Sequence, residues 1–299
     1  MELVTKISGI TLRNPFMNAS GVLSQTVSLL KRLQEAEVGA VVTKSITYEE
    51  RKGYENPTFI KINCGYLNAM GLPNPGFREF LKELSLCRDE FKVPIIVSIA
   101  PSEPKQAREM ATTFKNIASA IEINLSCPHS EKLGLEVFND AKLTESIVKN
   151  VKDGFDKPVF CKLPPYRNEV LGIIDSLDNC DAFVVSNTIR AMKIDIKAKK
   201  PVLSNKFGGL SGKALHPISL ALVFELYEKT KKPIIGVGGV ESWEDAVEFF
   251  LAGASAVQVG SVLEKKGITI FKELVEGLEK YLKEERISLE ELIGLAHDS

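Results

Sequence analysis

The chain has 299 residues, 44% of them hydrophobic, enough for a large core in one barrel-sized unit or two smaller ones. Its 38 basic and 39 acidic residues leave a net charge of -1, which offers no electrostatic handle to nucleic acid or an anionic membrane, and no apolar run reaches the roughly 18 residues of a membrane span. Cys64, Cys87, Cys127, Cys161 and Cys180 are odd in number with no Cys-x-x-Cys pair, and the three His form no His-x-x-x-His pair, so neither a disulfide framework nor a metal or iron–sulfur site is expected within this chain.

The N-terminal Met1-Glu2-Leu3-Val4-Thr5-Lys6 has no signal-peptide or transit-peptide character, and a cytoplasmic protein is expected. A first short strand is predicted over 15–18. An amphipathic helix follows over 27–37, with Leu29, Leu30, Leu33 and Ala36 on one face. Strand 39–43 leads into a long loop, 45–76, and then a helix over 76–86 carrying Phe77, Phe80, Leu81 and Leu84. Strands at 94–99 and 120–124 precede a helix over 141–151. Strands at 158–162 and 182–186 come next, and 187–214 reads as a second long loop. Strand 233–237 is followed by a helix over 242–251, with Ser242 as N-cap and Glu244-Asp245 in its first turn; Ala252-Gly253-Ala254 closes it before the last strand, 256–260. Each strand is short and mostly apolar, as expected where helices cover both faces of a parallel sheet. About eight βα units in one domain spanning 1–299 indicate an α/β fold, a (β/α)8 TIM barrel. An open doubly wound sheet would put its glycine turn after the first strand. Here Gly238-Gly239 and Gly260-Ser261 follow the last two, where barrels build phosphate sites from backbone N–H groups.

Barrel strands deliver their last residues to one face. The strand ends offer Ser20, Lys44-Ser45, Ser98, Asn124 with Cys127, Lys162, Ser186-Asn187-Thr188, Gly238-Gly239 and Gly260-Ser261. Glu122 lies inside a strand, so no carboxylate pair for glycoside hydrolysis and no ligand set for a catalytic metal is present. Amides, hydroxyls, two cations and a phosphate cradle suit a planar anionic cofactor with a phosphate tail, such as FMN. Lys44 and Lys162 end apolar strands, where burial is costly without a negative partner. A cation fixed by Leu163-Pro164-Pro165 beside a flavin pyrimidine ring would stabilise its anionic reduced form. Cys127, in Asn124-Leu-Ser-Cys-Pro-His129, is a candidate base, because an unperturbed thiol has a pKa of about 8.5. The turn Asn68-Ala-Met-Gly-Leu-Pro-Asn74 offers backbone N–H groups for a carboxylate, and 206–212 reads as a glycine-rich loop near a phosphate. A lone cysteine is more often structural, and a lone glycine run is weak evidence.

The segments Asn14-Pro-Phe-Met-Asn-Ala-Ser-Gly21, Thr43-Lys-Ser45, Asn68-Ala-Met-Gly-Leu-Pro-Asn74, Asn124-Leu-Ser-Cys-Pro128, Lys162-Leu-Pro-Pro165, Ser186-Asn-Thr188, Gly208-Gly-Leu-Ser-Gly212, Gly238-Gly239 and Gly260-Ser261 stand in one order over nearly the whole chain. In them the chain resembles the class 1 dihydroorotate dehydrogenases. The resemblance implies oxidation of (S)-dihydroorotate to orotate in pyrimidine biosynthesis. Cys127 would remove the C5 proton while hydride passes from C6 to FMN. It implies substrate contacts at Lys44, Asn68, Met70, Gly71, Leu72, Asn124, Asn187 and Thr188. It implies FMN contacts at Ser20, Lys44, Ser45, Asn124, Lys162, Ser186, Gly212, Gly238, Gly239, Gly260 and Ser261. The segments 190–204 and 292–297 are more similar to the NAD-linked branch. That similarity implies a homodimer and an iron–sulfur flavoprotein partner carrying FAD and a [2Fe-2S] cluster, neither held by this chain. The fumarate-using homodimeric branch is the alternative acceptor reading. His129 stands where many members have Asn and is shared with the dihydropyrimidine dehydrogenases, which reduce uracil and lack the Asn68–Asn74 motif. Ser98 replaces an Asn common in the NAD-linked branch, and Ser261 a common Thr.

Overall fold

The computed structural model describes residues 3–126 and 134–298. Eight parallel strands form its centre: β1 (Phe16–Asn18), β2 (Val41–Val42), β3 (Ile95–Ile99), β4 (Ala120–Asn124), β5 (Val159–Leu163), β6 (Ala182–Val185), β7 (Ile234–Val237) and β8 (Ala254–Val259). They run in the order β1-β8-β7-β6-β5-β4-β3-β2, and a parallel bridge between Met17 and Ala40 brings the two ends together. The sheet is therefore a barrel, as the spacing of the strands predicts.

Period-two alternation explains why these strands read as continuous apolar runs. Met17, Val42, Ile96, Ala120, Phe160, Val184, Ile235 and Ala256 pack in one inner cluster. Their neighbours, including Val97, Ile121, Cys161, Phe183 and Val257, pack outward against the helices. Ile7 and Leu12, from an antiparallel hairpin joining Thr5–Ile7 to Ile10–Leu12, add to the inner cluster and plug it.

The helices start where the sequence supplies caps. Thr26 caps Val27–Gln34, Asp140 caps Ala141–Gly154, and Ser242 and Asp245 form a full capping box on Trp243–Leu251. The first helix is shorter than the predicted 27–37, because the chain turns out of it at Glu37, whose φ is 65°. Helices Phe77–Ser85, Pro104–Phe114, Arg167–Ile173, His216–Lys229 and Ile270–Glu285 add to the outer layer. Among the described residues, no helix is long and apolar enough to cross a membrane.

The two long loops are not plain loops. Phe59–Ile62, Gly65–Asn68, Ile189–Ala191 and Gly208–Ser211 build a four-stranded antiparallel sheet from both segments. This corrects the reading of 206–212 as a glycine loop. Gly209 pairs with Asn68 and Leu210 with Leu67. A Cβ on Gly208 would lie 2.5 Å from Leu203 Cδ1 and 2.8 Å from Asn68 O, so glycine is what lets this strand close on its neighbours. Leu67, Ala69 and Leu203 form a small separate core beneath the sheet. The sheet thus holds Asn68 and the turn after it rigidly.

Candidate active site

A cavity of about 490 Å³ opens at the carboxyl ends of the barrel strands. Past β1 it is lined by Ser20, past β2 by Lys44 and Ser45, and at the ends of β4 and β5 by Asn124 and Lys162. Ser186, Asn187 and Thr188 line it beyond β6, Gly238 and Gly239 beyond β7, and Gly260 and Ser261 beyond β8. The small sheet and its turns add Asn68, Met70, Gly71, Leu72 and Gly212. The substrate and cofactor contacts expected from the sequence thus face one space, whereas Ser98, offered as a strand end, is buried within β3 and does not line it. Cys127 and His129 lie outside the described residues.

Hydrogen bonds within the protein fix the amides of this cavity. Asn124 donates through Nδ2 to Ser45 Oγ at 2.9 Å, and its Oδ1 accepts from Ser126 N at 3.2 Å. Asn187 donates to Ser126 Oγ at 2.8 Å and accepts from Thr188 N at 2.7 Å. Asn68 donates to Gly209 O at 3.3 Å across the small sheet. The Met70–Leu72 turn is tied from outside: Tyr54 N donates to Met70 O at 3.1 Å and Arg51 Nε to Gly71 O at 3.2 Å. Gly71 and Leu72 both have positive φ, 75° and 55°. The turn's carbonyls are thereby engaged by residues 51–54 while its other side lines the cavity.

The opposite wall is a glycine cradle. Gly238 has φ 143° and Gly239 φ 64°. A Cβ at Gly238 would meet Ser219 Oγ at 2.4 Å, and one at Gly239 would meet Gly212 O at 2.6 Å. Both the conformation and the close approach demand glycine. His216 holds Gly238 from behind, with Nδ1 3.1 Å from the Gly238 carbonyl and Nε2 2.6 Å from Glu248 Oε2. Asp245 ties the two glycine segments together. It pairs with Lys213, next to Gly212, and accepts from Glu241 N at 2.8 Å. One side-chain atom each from His216, Asp245 and Glu248 lie within 4.8 Å of one another.

Burial alone would raise the Asp245 carboxyl, but Lys213 and the Glu241 N–H outweigh it and hold it below the usual range. A depressed folded-state pKa contributes stability that is present above the unfolded pKa of about 3.9 and is lost as pH falls through the folded value. Asp245→Asn should therefore lower stability at pH 7 by roughly 1–2 kcal/mol, the size of a lost helix cap. Urea melts at pH 7 and pH 3 check this: the gap between variant and wild type should narrow at the lower pH.

Sequence reasoning noted Glu122 inside its strand but missed the polar cluster it forms beneath the cavity. Glu122 is fully buried on β4 and Gln258 is 1% exposed on β8. Gln258 donates to Glu122 Oε2 at 2.7 Å and accepts from Lys162 Nζ at 3.1 Å, and the Lys162 and Glu122 charges stand 3.8 Å apart. Glu122 is thus the negative partner that a buried Lys162 requires. The available signal was an acid and an amide inside otherwise apolar strands. Phe59 and Glu264 also line the cavity. Tyr66 donates to Glu264, and burial together with that carboxylate pushes its phenol up to about 12.

Comparison with known proteins places these features in a family. Residues 2–282 match the family model described as dihydroorotate dehydrogenase. The chain is 47% identical over 299 residues to a Pyrococcus furiosus protein named dihydroorotate dehydrogenase B (NAD(+)), catalytic subunit, with 99% of each chain covered. It is 44% identical over 301 residues to the protein of the same name from Methanocaldococcus jannaschii, covering 99% of this chain and 98% of that one.

Proposed function

This chain belongs to the dihydroorotate dehydrogenase family, with the NAD-linked catalytic subunits of class 1, and from that premise we propose that it oxidises dihydroorotate to orotate in pyrimidine synthesis, as one FMN-binding barrel domain. The observation that carries the reading is the convergence of the strand-end amides, hydroxyls, lysines and glycines on one cavity.

The residues present fit FMN. The cavity volume falls within the range of about 300–1,000 Å³ usual for small-ligand sites. Apolar walls at Ala19, Val22, Leu215, Val237 and Leu263 suit a ring system, and the glycine cradle admits a phosphate where any Cβ would collide. Ser20, Ser45, Asn124, Lys162 and Ser186 would hold the ring, with Gly212, Gly238, Gly239, Gly260 and Ser261 around the phosphate. When bound, FMN supplies the hydride acceptor for C6 of the substrate. The chain's own residues do the rest. Cys127 takes the C5 proton. Asn68, Asn124 and Asn187 orient the pyrimidine ring through amides held by hydrogen bonds within the protein, and Thr188 through its hydroxyl. Met70, Gly71 and Leu72, with Lys44, hold the carboxylate. Lys162 supplies a fixed positive charge at the ring end of the cavity.

The relatives' name, catalytic subunit, supports a separate partner, and we assign it as an iron–sulfur flavoprotein that passes electrons to NAD, joined to a homodimer of this chain in the cytoplasm. The purified protein should be yellow and should bleach on anaerobic addition of dihydroorotate. A protein that gains no flavin absorbance with added FMN would reject the reading. Reoxidation of the purified native complex by NAD rather than fumarate decides the acceptor.

A further inference from the structure

Beneath the cavity lies a polar cluster for which the proposed reaction has no use. Glu122, Gln258 and Ser98 are sealed in the barrel, each no more than 1% exposed, and none lines the cavity. They come from β4, β8 and β3, so the cluster exists only because the barrel closes. Ser98 donates to Glu122 Oε1 at 3.1 Å and Gln258 to Oε2 at 2.7 Å. Both carboxylate oxygens therefore accept a proton donor, which suits an ionised Glu122.

Two connections run from this cluster to the cavity. The first is the Gln258 amide. Its oxygen accepts from Lys162 Nζ at 3.1 Å while its nitrogen serves Glu122, so the amide can sit only one way round. It holds the ammonium beside Glu122 yet keeps the two charges 3.8 Å apart. The second is a hydroxyl chain. Ser98 spends its proton on Glu122, so Ser45, 3.0 Å away, donates to Ser98, and Ser45 in turn accepts from Asn124. Lys162, Ser45 and Asn124 all line the cavity. The carboxylate is thus close enough to attenuate the Lys162 charge and too well spaced to cancel it.

We propose that Glu122 and Gln258 are a positioning pair that orients Lys162 and sets how much positive charge the floor presents to the cofactor, fixing the balance between affinity for its oxidised and reduced forms. This rests on the FMN reading above. The charge arithmetic gives signs that packing alone would not. Glu122→Gln removes a negative charge and favours the reduced, more anionic form. Gln258→Glu alone sets a second carboxylate against Glu122, where the sealed pair shares one proton and the charge stays near that of the wild type. The double exchange Glu122→Gln/Gln258→Glu restores the charge count with carboxylate and amide traded.

The test is titration of the apoprotein with oxidised FMN and, anaerobically, with reduced FMN, followed by flavin fluorescence or absorbance. The ratio of the two dissociation constants should move about tenfold toward the reduced form in Glu122→Gln and stay near the wild-type value in Gln258→Glu. Each tenfold step corresponds to about 30 mV in the two-electron midpoint potential. The double variant should return close to the wild-type ratio. A Glu122→Gln variant that loses thermal stability with no change in ratio, or that moves it toward the oxidised form, would overturn the proposal. So would a double variant that keeps the Glu122→Gln shift although it carries the wild-type charge. If Glu122→Gln yields no folded protein, Glu122→Asp, which keeps the charge but draws it back from Lys162, should move the ratio toward the reduced form by a smaller factor. A wild-type apoprotein that binds neither form of FMN would reject the FMN reading itself, an outcome distinct from normal binding with an unmoved ratio.

Discussion

Replacing Cys127 with alanine should leave FMN binding intact and slow reduction of the flavin by dihydroorotate about 10²–10⁴-fold, the usual worth of a general base. The described cysteines offer no substitute. Burial pushes the Cys161 thiol well up, with Cys180 alongside reinforcing it, and its side chain packs outward against the helices rather than into the barrel. Cys180 is buried in the same outer core, Cys64 is exposed, and Cys87 is packed at the edge of that core. None of these four lines the cavity. Asn124 and Ser126, immediately before Cys127, are locked to Ser45 and Asn187. Stopped-flow mixing of oxidised enzyme with dihydroorotate, without oxygen, isolates the step. Reduction at a near-normal rate in Cys127→Ala would reject the thiol as the base. Cys127→Ser should retain part of the rate with its pH optimum moved upward, because a hydroxyl gives up its proton far less readily than a thiol.

The cavity wall was legible in the sequence because a parallel barrel writes it locally. Each strand is mostly apolar and turns polar near its carboxyl end: Val42 to Thr43 and Lys44, Ile123 to Asn124, Val185 to Ser186. The topology alone sends those residues to one mouth. The floor was not legible because its meaning depends on distant partners. Glu122 and Gln258 are 136 residues apart, and nothing in either strand announces the other. The Asp245–Lys213 tie, across 32 residues, is hidden in the same way behind a helix cap that is legible by itself. The small sheet was hidden for a different reason. Gly208 and Gly209 have low strand propensity, yet in this place glycine is what permits close approach to Asn68. A local rule gave the wrong element, and a tertiary contact explains why.

Discrimination between dihydroorotate and dihydrouracil should be on the order of 10⁴-fold in the rate of flavin reduction. Both molecules present the same C5–C6 bond, so the comparison isolates the carboxylate. The turn proposed to grip it is unusually well braced. Arg51 and Asn74 exchange backbone hydrogen bonds of 2.9 Å in both directions, and the Asn74 side chain donates to Thr47 Oγ1 and Leu72 O at 2.8 Å each. Those bonds fix Met70, Gly71 and Leu72 against the cavity, so the turn cannot collapse to satisfy itself when the carboxylate is missing. A site built to pair an anion then leaves the N–H groups of the turn without their ligand, and that penalty falls on dihydrouracil alone. His129 is the one residue that points the other way, through its likeness to uracil-reducing enzymes, and it lies outside the described residues. Anaerobic reduction by the two substrates at equal concentration decides the matter. Equal rates, or a faster rate with dihydrouracil, would reject the carboxylate grip at Met70–Leu72. Asn74→Ala offers a graded check, because loosening the brace should cost dihydroorotate more than tenfold while leaving the slow dihydrouracil rate unchanged.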